Sequence, residues 1–286
     1  MRCIMTFRNL FMAAPLLLLA AACGPSHPAD SSNPSPAGAE IEEFPINTTL
    51  LTSSETYFGV PDSVLGDTYL TLTASILWPE KVSDRDIRPL QDTIMHVAFP
   101  ASSDNNPRHA IREFVTDVSA YMLCKMKPVD KVEKVGESVR SFYSEVSGRL
   151  IEVNEQSCTY LLSFSEYMGG AHPNYASVVM SYDFTEGKCV DYGYLFKDGV
   201  EPELQGLILE SLAANMAVSV KELDSELLVK PLPVSKDVYV LNGMLVFHYN
   251  PYDILPYSYG TINVDVAPYQ VKDFLTPEAT RMLIDN

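Results

Sequence analysis

Two segments of alternating character, "CTYLLSFSEYM" and "YASVVMSYDFT", constrain the fold of this chain more than any other part of its sequence. Successive side chains of a β-strand point to opposite faces, so alternation of apolar and polar residues predicts a strand with one buried face. The connection "GGAHPN" contains Gly169 and Gly170, and paired glycines favour positive φ or a bulge. We therefore predict an antiparallel pair with a shaped turn at these glycines.

Other strand-like stretches lie on both sides of this pair. "INTTLLTSSETYF" and "DTYLTLTASILW" are rich in β-branched and aromatic residues, and "SFYSEVSGRLIEVNEQ" precedes the pair. Asn242 and Gly243 lie between apolar runs and predict a two-residue hairpin. "TINVDVA" predicts a last strand, which a short helix around "PYQVKDFL" follows.

Three further segments have the apolar period of helices. The first begins near Asp84 with Ser83 as its N-cap, and the second begins near Asn106. Their apolar stripes are Ile87, Leu90, Ile94 and Val97, then Ile111, Phe114, Val115, Val118 and Met122, and in the third helix Leu204, Leu207, Ile208, Leu212 and Met216. Because strands and helices occur in separate blocks, the fold class is α+β, with antiparallel sheets and helices packed on one face.

The chain divides into four parts by composition. Residues 1–22 have two arginines followed by a short apolar run, which predicts a secretory signal peptide and not a membrane span. Small residues before Cys23 resemble a bacterial lipobox, so we expect lipidation at Cys23; cleavage nearby as an ordinary signal peptide is the alternative. Residues 23–43 are rich in Pro, Ser and Ala and predict a disordered tether. Two α+β regions, 44–135 and 136–286, would follow.

The charge and the cysteines narrow the function classes. A formal net charge of -17 disfavours nucleic acid and anionic lipid as partners, so we expect membrane contact only through the lipid anchor. The charge is compatible with a cationic partner or with solubility alone. After processing, three cysteines remain, and the sequence does not choose among pairings of Cys124, Cys158 and Cys189.

Nucleophile and nucleotide-binding signatures are absent from the sequence. It has no G-x-S-x-G elbow, no S-x-x-K, no Walker loop and no G-x-G-x-x-G. The histidines and cysteines lack zinc spacing, so we expect no metal and no cofactor. His172 therefore has three interpretations: part of a structural turn, part of a binding surface, or a catalytic group.

The segment "FHYNPYDILPYSYG" is the strongest candidate for a working surface. Its tyrosines and prolines make a stiff apolar stretch with hydroxyl tips, a composition that anchors protein or glycan interfaces at low entropic cost. A buried aromatic corner that closes the hairpin is the alternative.

Two long stretches carry a family resemblance. "YMGGAHPNYASVVMSYDFTEGKCVDYGYLF" and "LVFHYNPYDILPYSYGTINVDVAPYQVKDFL" resemble the extracytoplasmic domain of RsiV-like proteins, over about Ser141 to Leu275. In that family the domain occurs in an anti-sigma factor that binds lysozyme, and beside the catalytic domain of PdaC-like peptidoglycan deacetylases. The chain shows no sigma-binding segment, no transmembrane helix after the signal and no deacetylase domain.

We expect a lipoprotein of the cell envelope, by default on its periplasmic side, that is not an enzyme, and the resemblance implies lysozyme or a cell-wall glycan as its ligand. The contact residues that we expect are Tyr252, Pro256, Tyr257 and Tyr259, with His172 and Asn174 beside them. Two alternatives stay open: an envelope enzyme that uses His172 with a carboxylate such as Asp183, and a structural subunit of an envelope assembly.

Overall fold

The computed structural model of the protein describes residues 46–59, 68–118, 126–128 and 140–285. The signal peptide, Cys23 and the tether lie outside the described residues. The strands are β1 (Ile46–Gly59), β2 (Thr68–Val82), β3 (Met126–Pro128), β4 (Arg140–Val153), β5 (Ser157–Tyr167), β6 (Asn174–Asp183), β7 (Lys188–Val190), β8 (Val238–Leu241), β9 (Met244–Tyr249) and β10 (Ile262–Val266). The helices are α1 (Arg88–Ala98), α2 (Pro107–Thr116), α3 (Tyr192–Leu195), α4 (Glu201–Asn215), α5 (Val220–Glu226) and α6 (Pro277–Leu283).

The described strands form two sheets. The larger has seven strands in the order β3-β1-β2-β4-β5-β6-β7, and the smaller has three in the order β10-β9-β8. Neighbouring strands are antiparallel, as predicted, with the exception of β2 and β4, which pair in parallel. The predicted fold class is confirmed: the fold is mixed, with mostly antiparallel sheets.

The first core lies between α1, α2 and one face of the larger sheet. Leu72 and Ile76 of β2 pack in one cluster with Ile94 of α1 and Ile111 of α2, and each is at most 3% exposed. The polar residues between them in β2 lie on the other face, which is why the sequence alternates.

Two details of the predicted helices are wrong. α1 begins at Arg88 and not near Asp84, because β2 continues to Val82 and Ser83 has a φ of 47° in the turn that follows. The carboxylate of Asp86, and not Ser83, accepts the backbone N–H of Arg88, at 3.0 Å. α2 ends at Thr116, so Val118 of the predicted stripe lies beyond it.

The second core surrounds the smaller sheet. Leu204, Ile208 and Leu212 of α4 are buried with Leu245 and Phe247 of β9, as the apolar stripe predicts. The hairpin of β8 and β9 turns at Asn242 and Gly243, whose φ angles of 51° and 70° fit the predicted two-residue turn. The predicted helix near the C-terminus is a single 3₁₀ turn, Pro268–Gln270.

The two sheets pack face to face along part of the larger one. Val179 of β6 forms a small buried cluster with Tyr239 and Val246 of the smaller sheet. Next to it, the hydroxyls of Thr159 and Ser181 lie 2.7 Å apart, and Thr159 donates to the backbone oxygen of Val240 at 2.6 Å. The smaller sheet therefore covers the face that points away from α1 and α2, but only at one end.

β2 and β4 come from opposite sides of the predicted boundary at residue 135 and pair within one sheet. The division into two regions stays a prediction.

In the described part of the chain, no helix is long and apolar enough to span a membrane. Cys158 and Cys189 are free. Cys158 on β5 and Cys189 on β7 both pair with Tyr182 of the strand between them, so two strand spacings, about 9.6 Å, separate them. This distance is too long for a disulfide.

Candidate functional site

The turn between β5 and β6 meets the segment between β9 and β10. The ring of His172 stacks on the ring of Tyr257, with centroids 3.7 Å apart and planes 18° apart. The phenol of Tyr257 donates to the backbone oxygen of Pro173 at 2.6 Å, and His172 Nδ1 lies 2.9 Å from the same oxygen. Two segments that the sequence separates by more than 80 residues thus form one surface.

Two further rings complete what we call the aromatic cluster: His172, Tyr175, Tyr252 and Tyr257. The centroid of Tyr257 lies 5.4 Å from that of Tyr175 and 5.6 Å from that of Tyr252. Tyr252 is 51% exposed and Tyr175 is 38% exposed. The cluster is therefore a solvent-facing surface and not a buried corner.

Unusual backbone angles shape both segments. Gly169 and Gly170 have φ angles of 92° and 111°, and Tyr252 has a φ of 72°, which a non-glycine residue adopts at a cost. Gly260 has a φ of 69°, and a Cβ at this position would lie 3.1 Å from the Tyr175 hydroxyl. Gly260 therefore lets its segment approach Tyr175, whereas Gly169 and Gly170 provide the positive φ angles of the turn.

The other predicted contact residues lie at the border of the cluster. Tyr259 is 41% exposed, and its hydroxyl bonds a carboxylate oxygen of Glu226 at the end of α5. Pro256 precedes the 3₁₀ turn Tyr257–Tyr259 and is half-buried. Asn174 is the exposed first residue of β6. The surface thus brings together all six residues that the sequence singles out, although only His172, Tyr252 and Tyr257 are in ring contact.

A buried polar network supports the cluster from below. His248 of β9 is 3% exposed; its Nδ1 lies 2.7 Å from Asn263 Oδ1 and its Nε2 lies 3.0 Å from Ser177 Oγ. The amide of Asn250 accepts the backbone N–H of Ser177 at 2.7 Å and donates to the backbone oxygen of Ser177 at 3.0 Å. Asn250 therefore pairs with the edge of β6 as a residue of a neighbouring strand would.

Ser177, His248 and Asn263 are hydrogen-bonded in the sequence serine–histidine–amide, as in a hydrolase triad. In the part of the chain that the structure describes, the site lacks a free oxyanion donor and access for a substrate. The N–H of Ser177, which could stabilise an oxyanion, is already bonded to Asn250. His248 has almost no contact with solvent. The network holds β6 against the smaller sheet, and sequence reasoning missed it because His248 lies in an apolar strand without a recognisable motif.

A carboxylate just outside β8 belongs to the same junction. Burial raises the pKa of Asp237 to about 6, although His248 and the backbone N–H of Val179 both act to lower it. The carboxylate of Asp237 accepts the backbone N–H of Val179, which is another donor on the edge of β6. The bond requires a partly desolvated negative charge at this junction, which costs free energy.

The pairing of His172 with Asp183 is wrong. Asp183 is fully buried at the far end of β6, about 30 Å along the strand from Asn174. It accepts hydrogen bonds from the hydroxyl of Tyr194 at 2.6 Å, from the backbone N–H of Thr185 at 2.7 Å and from the guanidinium of Arg281. Burial alone would raise the pKa of Asp183, but these bonds lower it, so the group is a paired structural carboxylate.

Metal binding has no support in the described residues, which contain no group of three or more His, Cys, Asp or Glu side chains that could hold an ion.

Fold and site together define a mixed α+β domain with an exposed aromatic surface on two loops. Residues 194–269 match the protein family described as "Protein of unknown function (DUF3298)". The matching part contains the smaller sheet and the segment with Tyr252 and Tyr257, whereas His172 lies outside it.

Two crystal structures share this fold. A member of the DUF3298 family from Bacteroides fragilis NCTC 9343 superposes with a TM-score of 0.63 at 18% identity, covering 83% of this chain and 96% of the other. A DUF3298 family protein from Pseudomonas aeruginosa PAO1 superposes with a TM-score of 0.56 at 16% identity, covering 82% and 96%. No curated protein sequence matches this chain. These likenesses establish the fold.

Proposed function

We propose that the chain is a non-enzymatic binding module of the bacterial cell envelope that takes a protein or glycan ligand on the aromatic cluster. The observation that carries the proposal is the stack of His172 on Tyr257, which joins two separate loops into one exposed aromatic surface. Anchoring would come from a lipid on Cys23, on the periplasmic side.

The cluster has the properties of a pre-organised contact surface. Tyr257 is fixed by a bond to Pro173 and by three ring neighbours, so its ordering is complete before a ligand arrives. Exposed tyrosines bury large area on binding and have few rotatable bonds, which keeps the entropic cost of association low.

Lysozyme is the first protein ligand to test. The resemblance to RsiV-like domains suggests it, and the formal net charge of -17 would attract a basic enzyme at low ionic strength. If this attraction acts at the surface, raising the salt concentration should lower the association rate.

The experiment measures binding of c-type lysozyme to the full-length protein in mild detergent by biolayer interferometry, at 50 and 150 mM salt. Tyr252→Ala removes the most exposed ring of the cluster and should weaken binding at least tenfold. Tyr269→Ala is the matched control, because Tyr269 is 72% exposed but lies on the 3₁₀ turn Pro268–Gln270, outside the cluster.

Equal affinity of the two variants would remove the aromatic cluster as the lysozyme site. If lysozyme binds at neither salt concentration, the lysozyme version of the proposal fails, and glycans remain as the ligand class.

A further inference from the structure

The strand register places hydroxyl side chains in three rows across the larger sheet. The rows lie on the face that points away from α1 and α2, at the end that the smaller sheet leaves open, except that Ser177, the last residue of the third row, is bonded to His248. They run Thr56, Thr71, Tyr143, Tyr167; then Ser54, Thr73, Glu145, Ser165, Tyr175; then Thr52, Ser75, Ser147, Ser163, Ser177. Thirteen of these fourteen side chains carry a hydroxyl, and none of the fourteen is buried. We call this surface the hydroxyl face.

The hydroxyls form an ordered array and keep capacity for further bonds. Ser54 and Thr73 lie 3.0 Å apart, and Thr56 and Thr71 lie 3.2 Å apart, so neighbouring strands fix each other's side chains. A hydroxyl has one donor and two acceptor sites, so each member of such a pair keeps at least one free. By strand spacing, the array measures about 19 Å across the strands and about 13 Å along them.

The hydroxyl face is nearly uncharged in a strongly acidic chain. Glu145 is the one ionisable carboxylate in the three rows, although the chain has 37 acidic residues. A neutral ligand that covers this face therefore desolvates few charged side chains, so the cost is small. A cationic protein would find little electrostatic attraction here.

The composition also disfavours a protein partner on this face. Ser is depleted in protein interfaces, and Ser and Thr are under-represented among residues that dominate binding energy. An array of fixed hydroxyls matches instead a ligand whose own hydroxyls both donate and accept.

The hydroxyl face is continuous with the aromatic cluster. Tyr175 belongs to both, and Tyr143 and Tyr167, with ring centroids 6.3 Å apart, end the row nearest to it. Aromatic rings offer flat apolar faces to the C–H side of a sugar ring, whereas the Ser and Thr array offers bonds to its hydroxyls.

We propose that the hydroxyl face binds an uncharged polysaccharide chain that extends from the aromatic cluster across β5, β4 and β2. This inference rests on the proposed function, because it takes the aromatic cluster as one end of the same site, and it names the ligand as a neutral glycan.

The test measures binding of three uncharged hexasaccharides, chitohexaose, cellohexaose and maltohexaose, to the full-length protein by isothermal titration calorimetry. At least one should bind, and its disaccharide should bind at least tenfold more weakly because it is too short to cross the face. The double variant Thr73→Val/Ser147→Ala should lose at least tenfold in hexasaccharide affinity while its thermal midpoint stays near that of the parent. Ser144→Ala, on the opposite side of β4, is the control and should bind as the parent does.

The outcomes separate this inference from the proposed function. No binding of any hexasaccharide, or binding that the double variant leaves unchanged, overturns the glycan inference. Lysozyme binding that needs Tyr252, together with no binding of any hexasaccharide, keeps the proposed function and rejects the hydroxyl face. Hexasaccharide binding that needs Thr73 and Ser147 but not Tyr252 keeps the hydroxyl face as a glycan site and rejects the aromatic cluster as one end of it.

Discussion

The two ends of β6 differ although they belong to one strand of ten residues. Asn174 and Tyr175 at its start are exposed, whereas the last five residues, through Asp183, are all buried. At the buried end, Ser181 and Asp183 have their polar groups bonded within the protein. At the exposed end, rings and hydroxyls face solvent.

The difference between the two ends of β6 shows which part of the larger sheet is accessible to a ligand. Thr159 and Ser181 point to the same side of the larger sheet as Ser163 and Ser165, and all four carry a hydroxyl. The first two bond the backbone of Val240 and lock the two sheets in register, whereas the second two are half-exposed. Similar chemistry thus stabilises the fold at one end and stays free to meet a ligand at the other.

The largest expected effect on stability is at the buried end of β6. Asp183→Ala leaves the hydroxyl of Tyr194, the N–H of Thr185 and the guanidinium of Arg281 without their acceptor, and should lower the free energy of unfolding by about 4 kcal/mol. Urea denaturation followed by circular dichroism measures it. Asp198→Ala, at an exposed position, is the control, and an equal loss in both variants would contradict the structural role of Asp183.

The second effect depends on pH and concerns the junction between the two ends. The pKa of Asp237 is raised from 3.8 to about 6, so the folded state binds its proton more tightly than the unfolded state. The resulting stability is fully present below pH 3.8 and is lost as the pH rises through 6. The loss is on the order of 3 kcal/mol.

Asp237→Asn keeps an acceptor for the N–H of Val179 but does not titrate, so the stability difference between parent and variant should change between pH 4 and 6. His248 and Asp253 interact electrostatically with Asp237 and remain in both proteins, which is why the difference, and not either curve alone, is the readout. Denaturation midpoints at half-unit pH steps measure it, and a constant difference across this range would refute the raised pKa.

The smallest effect compares two serines on one face. Ser181→Ala removes the acceptor of the Val240 N–H in a buried environment and should lower stability by about 1.5 kcal/mol. Ser165→Ala, at the half-exposed position, should change stability by less than about 0.5 kcal/mol. Equal losses in paired thermal melts would show that the open end is as structural as the covered end.

Local patterns in the sequence account for much of the fold. Alternation predicts β1, β2, β5 and β6, and Asn242 and Gly243 predict the hairpin, because in each case the signal lies within a few neighbouring residues. Sequence reasoning misplaces the start of α1 because Ser83 is a good N-cap by type, whereas the strand continues to Val82 and the carboxylate of Asp86 accepts the N–H of Arg88.

The site was predictable as a set of residues but not as an arrangement. Composition singles out Tyr252 and Tyr257, and the resemblance connects them with His172, yet the stack depends on how the two sheets pack. The network of His248 and Asn250 joins residues about seventy positions apart, and the hydroxyl rows exist only once the register across five strands is known. Pairing between distant segments leaves no local signal in one sequence.

The parallel pairing of β2 with β4 also bears on how fast the chain folds. Hairpins such as β1–β2, β4–β5 and β5–β6 close short loops, but Ile76 and Gly148 pair across 72 residues. Loop-closure entropy opposes this contact until much of the remaining structure is formed, and non-local pairing slows folding. We expect the docking of β2 on β4 to limit the folding rate, with the two halves of the larger sheet formed on either side before they join.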